Sequence, residues 1–330
     1  AILARDRVEH LEAFFACGKL GAIHVPLNWR AHWRELLGML AQVRPKVLIF
    51  EEEFRPAVTG IDESMAAEPA GITHGLHLDG AGLEWSRHYE TQLQASPDST
   101  IGYEKLEAED IAALIFTGGT TGLPKAARIS HRMIAWNSLN TLIHDVIPGD
   151  LYLNVFPLFH TGGLFVYTLP QVILGGTSIL LRHFDPSRVL ELIEGERVSL
   201  FAGVPTMYRL LTQSPRWPQA DLSSLRFCTS GGAPLPVPLV EQYAREKGVR
   251  FKQGFGMTEF GPGVFALAPE DAVSKAGSIG RPNFFVEARV LDPQGRALGP
   301  GEPGELVLRG QSLSSGYFGQ PGMEGPALDP

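Results

Sequence analysis

Cysteine is scarce in this chain of 330 residues. Cys17 and Cys228 lie far apart, inside apolar runs, without the spacing of metal ligands. This scarcity excludes a small disulfide scaffold and a cysteine-rich metal module. The residues that precede Cys17 in this sequence do not have the pattern of a secretory leader, so we expect none. We therefore expect two reduced, buried thiols and a cytoplasmic protein.

Clustered cations and long apolar runs are also lacking. The chain has 28 Lys and Arg against 36 Asp and Glu, a net charge of −8, and its cations are scattered. General binding to nucleic acid or to anionic membranes requires clustered cations, so neither is expected. Apolar runs such as VILGGTSILL are interrupted by Gly or Thr before they reach the length of a membrane helix. We expect no membrane span, and an anionic ligand would need a local site.

Three widespread catalytic motifs are missing. The P-loop has Gly directly before its Lys and Ser or Thr directly after it, whereas Pro124 precedes Lys125 and Ala126 follows. The dinucleotide pattern G-x-G-x-x-G and the hydrolase elbow G-x-S-x-G do not occur at the expected places. The sequence therefore argues against P-loop, dinucleotide-binding and serine-hydrolase chemistry.

Alternating helical and extended patterns are present along much of the chain. VEHLEAFFACGKL and WRELLGMLAQV have helical periodicity, and KVLIF is typical of a buried strand. The alternation weakens between Glu51 and Glu109, which is either peripheral structure or a long connection. It resumes with IAALIFT; the segment that follows the glycine loop, KAARISH, is helix-like, and a helix is predicted from about Ser130. Apolar strands separated by helices predict a mostly parallel sheet covered on both faces, an α/β fold.

The pattern changes near Gly277 to strand-like runs joined by Pro- and Gly-rich turns. We therefore predict an α/β core over residues 1–276 and a β-rich subdomain of the same large domain over residues 277–330.

A glycine- and threonine-rich loop, FTGGTTGLPK, follows the predicted strand IAALIFT. Its glycines can turn several backbone N–H groups toward one point, and its threonines and Lys125 add further donors. Such a set suits a polyphosphate. A flexible turn with a solvated lysine is an equal alternative for the loop taken alone.

Three more segments follow predicted strands: PLFHTGGL, TSGGAPLP and GFGMTEFG. Together with TGGTTGLPK, and with GAIHVPLN and GSIGRP, they resemble the adenylate-forming (AMP-binding) superfamily, in particular its acyl-CoA synthetases. The resemblance implies the large N-terminal domain of these enzymes, with mostly parallel, doubly wound sheets flanked by helices. Relatives extend further at both ends, so we expect a large domain that is incomplete at both ends, lacks the small C-terminal domain and is poorly active alone.

The resemblance also assigns residues to ATP. The loop would hold the β- and γ-phosphates through Thr117, Gly118, Gly119, Thr120, Thr121, Gly122 and Lys125. The adenine would lie against Gly231, Gly232, Ala233 and Pro234, with Gly254, Phe255 and Gly256 forming the stacking segment. Relatives usually have Tyr in place of Phe255 and Ser in place of Gly119. Core packing is the alternative for Phe255.

Three further residues are assigned to catalysis. Thr258 would lie beside the α-phosphate and Glu259 would bind Mg²⁺, although a solvated carboxylate is the alternative for Glu259. His160 would border the carboxylate of the acid, and a structural role is its alternative. Peptide-synthetase domains tend to carry Asp at this position, so a plain carboxylic acid is favoured. We expect the depth of the acid pocket to depend on Phe165, Val204, Phe260 and Val264.

The implied activity is an acid–thiol ligase that uses ATP, Mg²⁺ and coenzyme A to form acyl-CoA, AMP and pyrophosphate. A medium- or long-chain fatty acid is the expected substrate. The alternatives are a nucleotide- or acyl-binding module without turnover and an enzyme that adenylates aryl or amino acids. A homodimer is left open.

Overall fold

The computed structural model describes residues 1–65, 71–99, 102, 105–118 and 124–320. The chain forms two compact units. The first unit comprises Ala1–His131, Pro157–Thr161 and the segment that begins at Ser314, and the second comprises Arg132–Phe156 and Gly162–Leu313. The boundary predicted at residue 277 stays a prediction.

A four-stranded parallel sheet lies in the first unit, in the order β1-β2-β3-β4. Its strands are β1 (Ile2–Leu3), β2 (Val47–Phe50), β3 (His74–His77) and β4 (Ser86–His88). The helices of this unit are α1 (Val8–Leu20), α2 (Trp33–Val43), α3 (Arg55–Met65) and α4 (Tyr89–Ala95). The segment from residue 51 to 109, left open by the sequence, thus supplies β3, β4, α3 and α4 in its described part.

Alternate residues of β2 pack into two different clusters. Leu48 and Phe50 belong to a cluster with buried side chains of α2 and α3. Ile49 belongs to another, which includes Ala13 of α1. Because successive side chains of a strand point to opposite faces, α1 covers one face of the sheet while α2 and α3 cover the other.

The predicted strand IAALIFT is β5 (Ile111–Thr117), and the segment after the glycine loop is a second strand, β6 (Lys125–Ser130). The two pair in antiparallel fashion, with Thr117 opposite Lys125. The sequence had suggested a helix-like run after the loop, and this was wrong for residues 125–130. The helix predicted from about Ser130 is present as α5 (His131–His144).

A seven-stranded sheet lies in the second unit, and its strand order is β13-β12-β11-β10-β9-β7-β8. The strands are β7 (Leu151–Asn154), β8 (Thr177–Leu180), β9 (Leu200–Gly203), β10 (Phe227–Gly231), β11 (Phe251–Gly256), β12 (Gly263–Leu267) and β13 (Arg281–Pro282). Five neighbouring strands, β8, β7, β9, β10 and β11, run parallel to one another. Strand β12 pairs in antiparallel fashion with β11 on one side and with β13 on the other. A separate antiparallel hairpin follows, formed by β14 (Val286–Leu291) and β15 (Glu305–Gly310). The mostly parallel sheet is confirmed.

Helices pack on both faces of this sheet. They are α6 (Thr161–Phe165), α7 (Thr168–Ile173), α8 (Pro186–Gly195), α9 (Pro205–Gln213) and α10 (Val237–Lys247), together with α5. Leu153 and Phe201 pack with α8, α9 and α10. Their strand neighbours Tyr152 and Leu200 pack instead with Leu142 of α5. Because successive side chains of a strand point to opposite faces, the buried side chains of this sheet form a separate cluster on each face.

Local signals explain where several of these helices begin and end. The Asp185 side chain accepts a hydrogen bond from the Arg188 backbone N–H at 2.7 Å, which caps the start of α8. Helix α10 ends at Lys247, and Gly248, which caps it, has a φ of 67° in the left-handed region that glycine adopts without strain.

Both cysteines are free thiols. Cys228 is buried and Cys17 is half-buried, so the prediction of burial is confirmed for Cys228 alone. Within the described ranges, no helix has both the length and the apolar character that crossing a bilayer requires.

Candidate functional site

Two predicted adenine segments meet at one edge of the seven-stranded sheet. Strands β10 and β11 are parallel neighbours, and Gly231 is the register partner of Gly254. Since both strands run in the same direction, their carboxyl ends lie side by side, which is where open α/β sheets bind ligands. The segments that follow these strands are therefore neighbours in space.

A cavity of about 320 Å³ lies at this edge. Six of its lining residues are among those predicted to contact adenine: Gly232, Ala233, Pro234, Gly254, Phe255 and Gly256. Gly231, the seventh, lies at the end of β10 but not in the lining. The structure thus brings together two segments that are about 20 residues apart in sequence.

Glycine is required at two positions of this lining. Gly232 has a φ of 78°, in the left-handed region. At Gly256, an added Cβ would lie 2.0 Å from the Pro262 carbonyl oxygen. A larger residue would be strained at Gly232 and would force the backbone to shift at Gly256, so the shape of the cavity depends on both.

Phe255 supplies an aromatic surface in the cavity. Its side chain is 38% exposed, and its ring makes a T-shaped contact with Phe265 at a centroid distance of 6.0 Å. A core role for Phe255 would require burial, which the structure does not show. The exposed ring is suited to stacking on a flat base, although its role in binding adenine stays a prediction.

Four other residues of the lining received no role in the sequence analysis: Gln253, Gly277, Ser278 and Ile279. Gln253 accepts a hydrogen bond from the Leu235 backbone N–H through Oε1 at 3.1 Å. Its Nε2 is buried without a hydrogen-bond partner among the described residues, so it is a donor available to a ligand. The GSIGRP motif was a signal for the other three, since its first three residues are Gly277, Ser278 and Ile279.

Thr258 and Glu259 follow β11 in a short 3₁₀ turn, Thr258–Phe260. Thr258 is buried and Glu259 is half-buried, and neither belongs to the lining of the cavity. Within the part of the chain that the structure describes, no three His, Cys, Asp or Glu side chains converge on a metal position. A single carboxylate is a common protein ligand of Mg²⁺ in phosphate sites, and this role of Glu259 stays a prediction.

The predicted phosphate loop belongs to the first unit. Thr117 and Lys125 close the ends of the loop, where the Thr117 hydroxyl donates to the Lys125 carbonyl oxygen at 3.3 Å. Gly118 extends the chain beyond β5. Four other members of the predicted loop lie outside the described residues: Gly119, Thr120, Thr121 and Gly122. The phosphate role of the loop stays a prediction.

His160 also belongs to the first unit and is held by a tight turn. Its backbone N–H donates to the Pro157 carbonyl oxygen at 3.0 Å, and the Leu158 N–H donates to Asp6 Oδ1 at 2.6 Å. The His160 side chain reaches solvent, yet the protein around the imidazole excludes enough water to lower the pKa of His160 below its ordinary value. The imidazole is therefore neutral at pH 7.

The residues predicted to set the depth of the acid pocket lie in the second unit. Phe165, Phe260 and Val264 are almost fully buried, and Val204 is half-buried. Phe260 and Val264 pack in one small cluster with Val286 at the base of β14. Their influence on the choice of acid stays a prediction.

The chain is similar in sequence to several known acid–CoA ligases. Feruloyl-CoA synthase of Amycolatopsis is 40% identical over 323 residues, which cover 97% of this chain and 61% of that protein. Indoleacetate–CoA ligase of Aromatoleum aromaticum is 34% identical, with 96% and 61% covered. Long-chain-fatty-acid–CoA ligase FadD13 of Mycobacterium tuberculosis is 30% identical, with 100% and 63% covered. The chain thus spans about three fifths of the length of these relatives.

Solved structures match over the same extent. The inhibitor-bound N-terminal domain of FACL13 from Mycobacterium tuberculosis superposes with a TM-score of 0.89 at 29% identity, covering 97% of this chain and 77% of that one. ATP-bound MatB of Rhodopseudomonas palustris gives a TM-score of 0.84 at 29% identity, covering 97% and 61%. The fold is therefore that of the N-terminal domains of adenylate-forming enzymes, as the sequence predicted. The family described as "AMP-binding enzyme" matches residues 1–318, and the chain belongs to that family.

Proposed function

We propose that the protein joins a carboxylic acid to coenzyme A in two steps driven by ATP. In the first, a carboxylate oxygen attacks the α-phosphorus, and the bond to the bridging oxygen breaks, giving acyl-adenylate and pyrophosphate. In the second, the thiol sulfur attacks the acyl carbon, the bond to AMP breaks, and the thiol proton passes to solvent. The cavity at the ends of β10 and β11, built from two motifs of the AMP-binding family, is the observation that carries this proposal.

The adenine ring would occupy this cavity. Phe255 would stack on it, and the glycine backbone on either side leaves space for a flat base. The unpartnered Nε2 of Gln253 would donate a hydrogen bond to a ring nitrogen. These contacts hold the nucleoside in place, and they do not take part in the bond changes.

The groups that act on the phosphates carry charge. Lys125 would neutralise charge on the pyrophosphate as it leaves, and Thr258 would donate to the α-phosphate. Mg²⁺, when bound at Glu259, would supply further neutralisation of the phosphate oxygens. Catalysis then consists mainly of orientation and electrostatic stabilisation, because neither step needs a nucleophile from the protein.

His160 would lie at the carboxylate of the acid. Its lowered pKa keeps the imidazole neutral, so it can donate a hydrogen bond to a carboxylate oxygen without a tight ion pair that would weaken the nucleophile. This role is consistent with an acid that carries no ammonium group.

We infer an aromatic acid as the preferred substrate. The two relatives with the higher identities, 40% and 34%, are named for feruloyl-CoA and indoleacetate, both of which contain an aromatic ring. A fatty acid, expected from the sequence alone, is the second candidate, because the FadD13 ligase matches the whole chain at 30% identity. An apolar wall accepts both classes, so identity to relatives is the stronger argument.

ATP–pyrophosphate exchange in the full-length protein tests both inferences. Ferulate, indoleacetate, palmitate and phenylalanine would be supplied in turn, and exchange should be fastest with one of the two aromatic acids. Faster exchange with palmitate would identify a fatty-acid ligase instead. An absence of exchange with every acid, despite measurable AMP binding, would indicate a binding module without turnover.

A further inference from the structure

A short segment of the first unit, residues 314–318, runs beside β6 and is called the strap below. Two backbone hydrogen bonds attach it. The Arg128 N–H donates to the Gly316 carbonyl oxygen at 3.0 Å, and the Phe318 N–H donates to the Ala126 carbonyl oxygen at 2.8 Å. The strap therefore has a defined register along the strand that begins at Lys125.

A side chain strengthens this attachment, since the Ser314 hydroxyl donates to the Arg128 carbonyl oxygen at 2.7 Å. Tyr317 lies between Gly316 and Phe318, the two strap residues that make the backbone hydrogen bonds, and it forms a β-bridge with Ala127. Its ring lies beneath the end of the Lys125 side chain, with Nζ 5.2 Å from the ring centroid. Because the strap is fixed at both ends, the ring has a fixed place beside the ammonium.

An aromatic face attracts a cation through its quadrupole and has no net charge. The contact therefore restricts the ammonium without cancelling its charge, unlike an ion pair with a carboxylate. A lysine side chain has four flexible bonds and loses considerable rotamer freedom when it binds a phosphate. A ring that restricts it beforehand reduces the entropy lost at that moment.

We propose that Tyr317 is a positioning residue for Lys125, which holds the ammonium ready for the phosphates of ATP. This inference rests on the proposed function, in which Lys125 contacts the β- and γ-phosphates. It adds that the strap, about 190 residues further along the chain, takes part in binding the nucleotide. AMP lacks the β- and γ-phosphates, so its affinity should not depend on Tyr317.

The test compares Tyr317→Leu with Tyr317→Phe in the full-length protein, by calorimetric titration with ATP, AMP and inorganic pyrophosphate. Tyr317→Leu should weaken the affinities for ATP and pyrophosphate about two- to fivefold, the size expected for one exposed cation–π contact. The affinity for AMP should be unchanged. Tyr317→Phe keeps the ring face and should behave as the wild type.

A double-mutant cycle with Lys125→Ala separates positioning from a general effect on the strap. In the Lys125→Ala background, Tyr317→Leu should cause no further loss of ATP affinity. An equal loss in both backgrounds, or an equal loss for ATP and AMP, would overturn the inference. Ser314→Ala, which removes an anchor of the strap but keeps the ring, is the matched control. It should change the affinities for ATP and for AMP to the same extent.

These binding data are independent of turnover. Wild-type protein that binds ATP but shows no exchange would contradict the proposed function, while the coupling between Tyr317 and Lys125 would still be measured. Normal exchange together with unchanged ATP affinity in Tyr317→Leu would overturn the positioning role alone.

Discussion

Gly231 and Gly254 are direct register partners on two adjacent parallel strands, and a Cβ added to Gly231 would lie 3.3 Å from the Gly254 carbonyl oxygen. This close approach aligns the ends of β10 and β11. The segments that leave those ends then face the same cavity. One pair of glycines thus connects the strand register of the sheet to the shape of the candidate nucleotide site.

Gly256→Ala should destabilise the protein. The new Cβ would lie 2.0 Å from the Pro262 carbonyl oxygen, so the backbone of the turn after β11 must shift. We expect a loss of about 1–3 kcal/mol in the free energy of unfolding, as for other overpacked sites. Urea denaturation measures this loss. Gly254→Ala is the matched control, since its Cβ would meet no atom within 4 Å, and equal stability losses in the two variants would contradict the account.

Phe255→Ala should weaken nucleotide binding. Removing the exposed ring from the cavity deletes the stacking surface, worth on the order of 1 kcal/mol or about a fivefold rise in Kd. Titration with AMP measures the effect, because AMP contains the adenine and lacks the pyrophosphate. Phe255→Tyr retains the aromatic face and should bind AMP like the wild type. Unchanged AMP affinity in Phe255→Ala would show that adenine does not stack there.

Lys125→Ala should slow formation of the adenylate and leave AMP binding intact. The variant lacks the cation that would stabilise the departing pyrophosphate, and we expect at least about a tenfold fall in the rate of ATP–pyrophosphate exchange. Lys105→Ala serves as the control, since Lys105 pairs with Glu107 at the exposed surface. If exchange persisted at the wild-type rate in Lys125→Ala, the phosphate role of the loop would be wrong.

Acid should destabilise the first unit through His10. Burial lowers the pKa of His10 from 6.5 to about 4, and its Nε2 donates to the Ala4 carbonyl oxygen at 3.1 Å. Between these pH values the unfolded chain binds a proton that the folded chain does not, so stability falls as the pH falls. By pH 4 the loss attributable to His10 should be on the order of 3 kcal/mol.

Urea denaturation between pH 7 and pH 4 checks this dependence. His10→Gln retains a donor for Ala4 and should show a shallower decline. Part of the slope should remain, because burial also lowers the pKa of His24. His144→Gln, which removes an exposed histidine, should retain the decline due to His10. A His10→Gln protein with the full wild-type slope would contradict the assignment.

The sequence predicted several buried strands well, because such strands appear as short, continuous apolar runs. IAALIFT and KVLIF correspond to β5 and β2. The segment KAARIS was misjudged because alanine favours helices in isolation. Its conformation is decided by pairing with β5, a contact that local propensity does not encode.

The candidate cavity was predictable in part. The motifs located Gly232–Pro234 and Gly254–Gly256, and register pairing then brought them together. Gln253 was missed because a single glutamine within a strand has no distinctive pattern. Its significance becomes visible only when the structure shows a buried Nε2 without a partner in the lining of the cavity.

Acid-dependent ATP–pyrophosphate exchange by the full-length protein is the most direct test of the central claim. We predict exchange that requires ATP, Mg²⁺ and a carboxylic acid, is fastest with an aromatic acid, and precedes formation of a coenzyme A thioester. Bound ATP without exchange for any acid would contradict the ligase function, and the cavity would then belong to a nucleotide-binding protein.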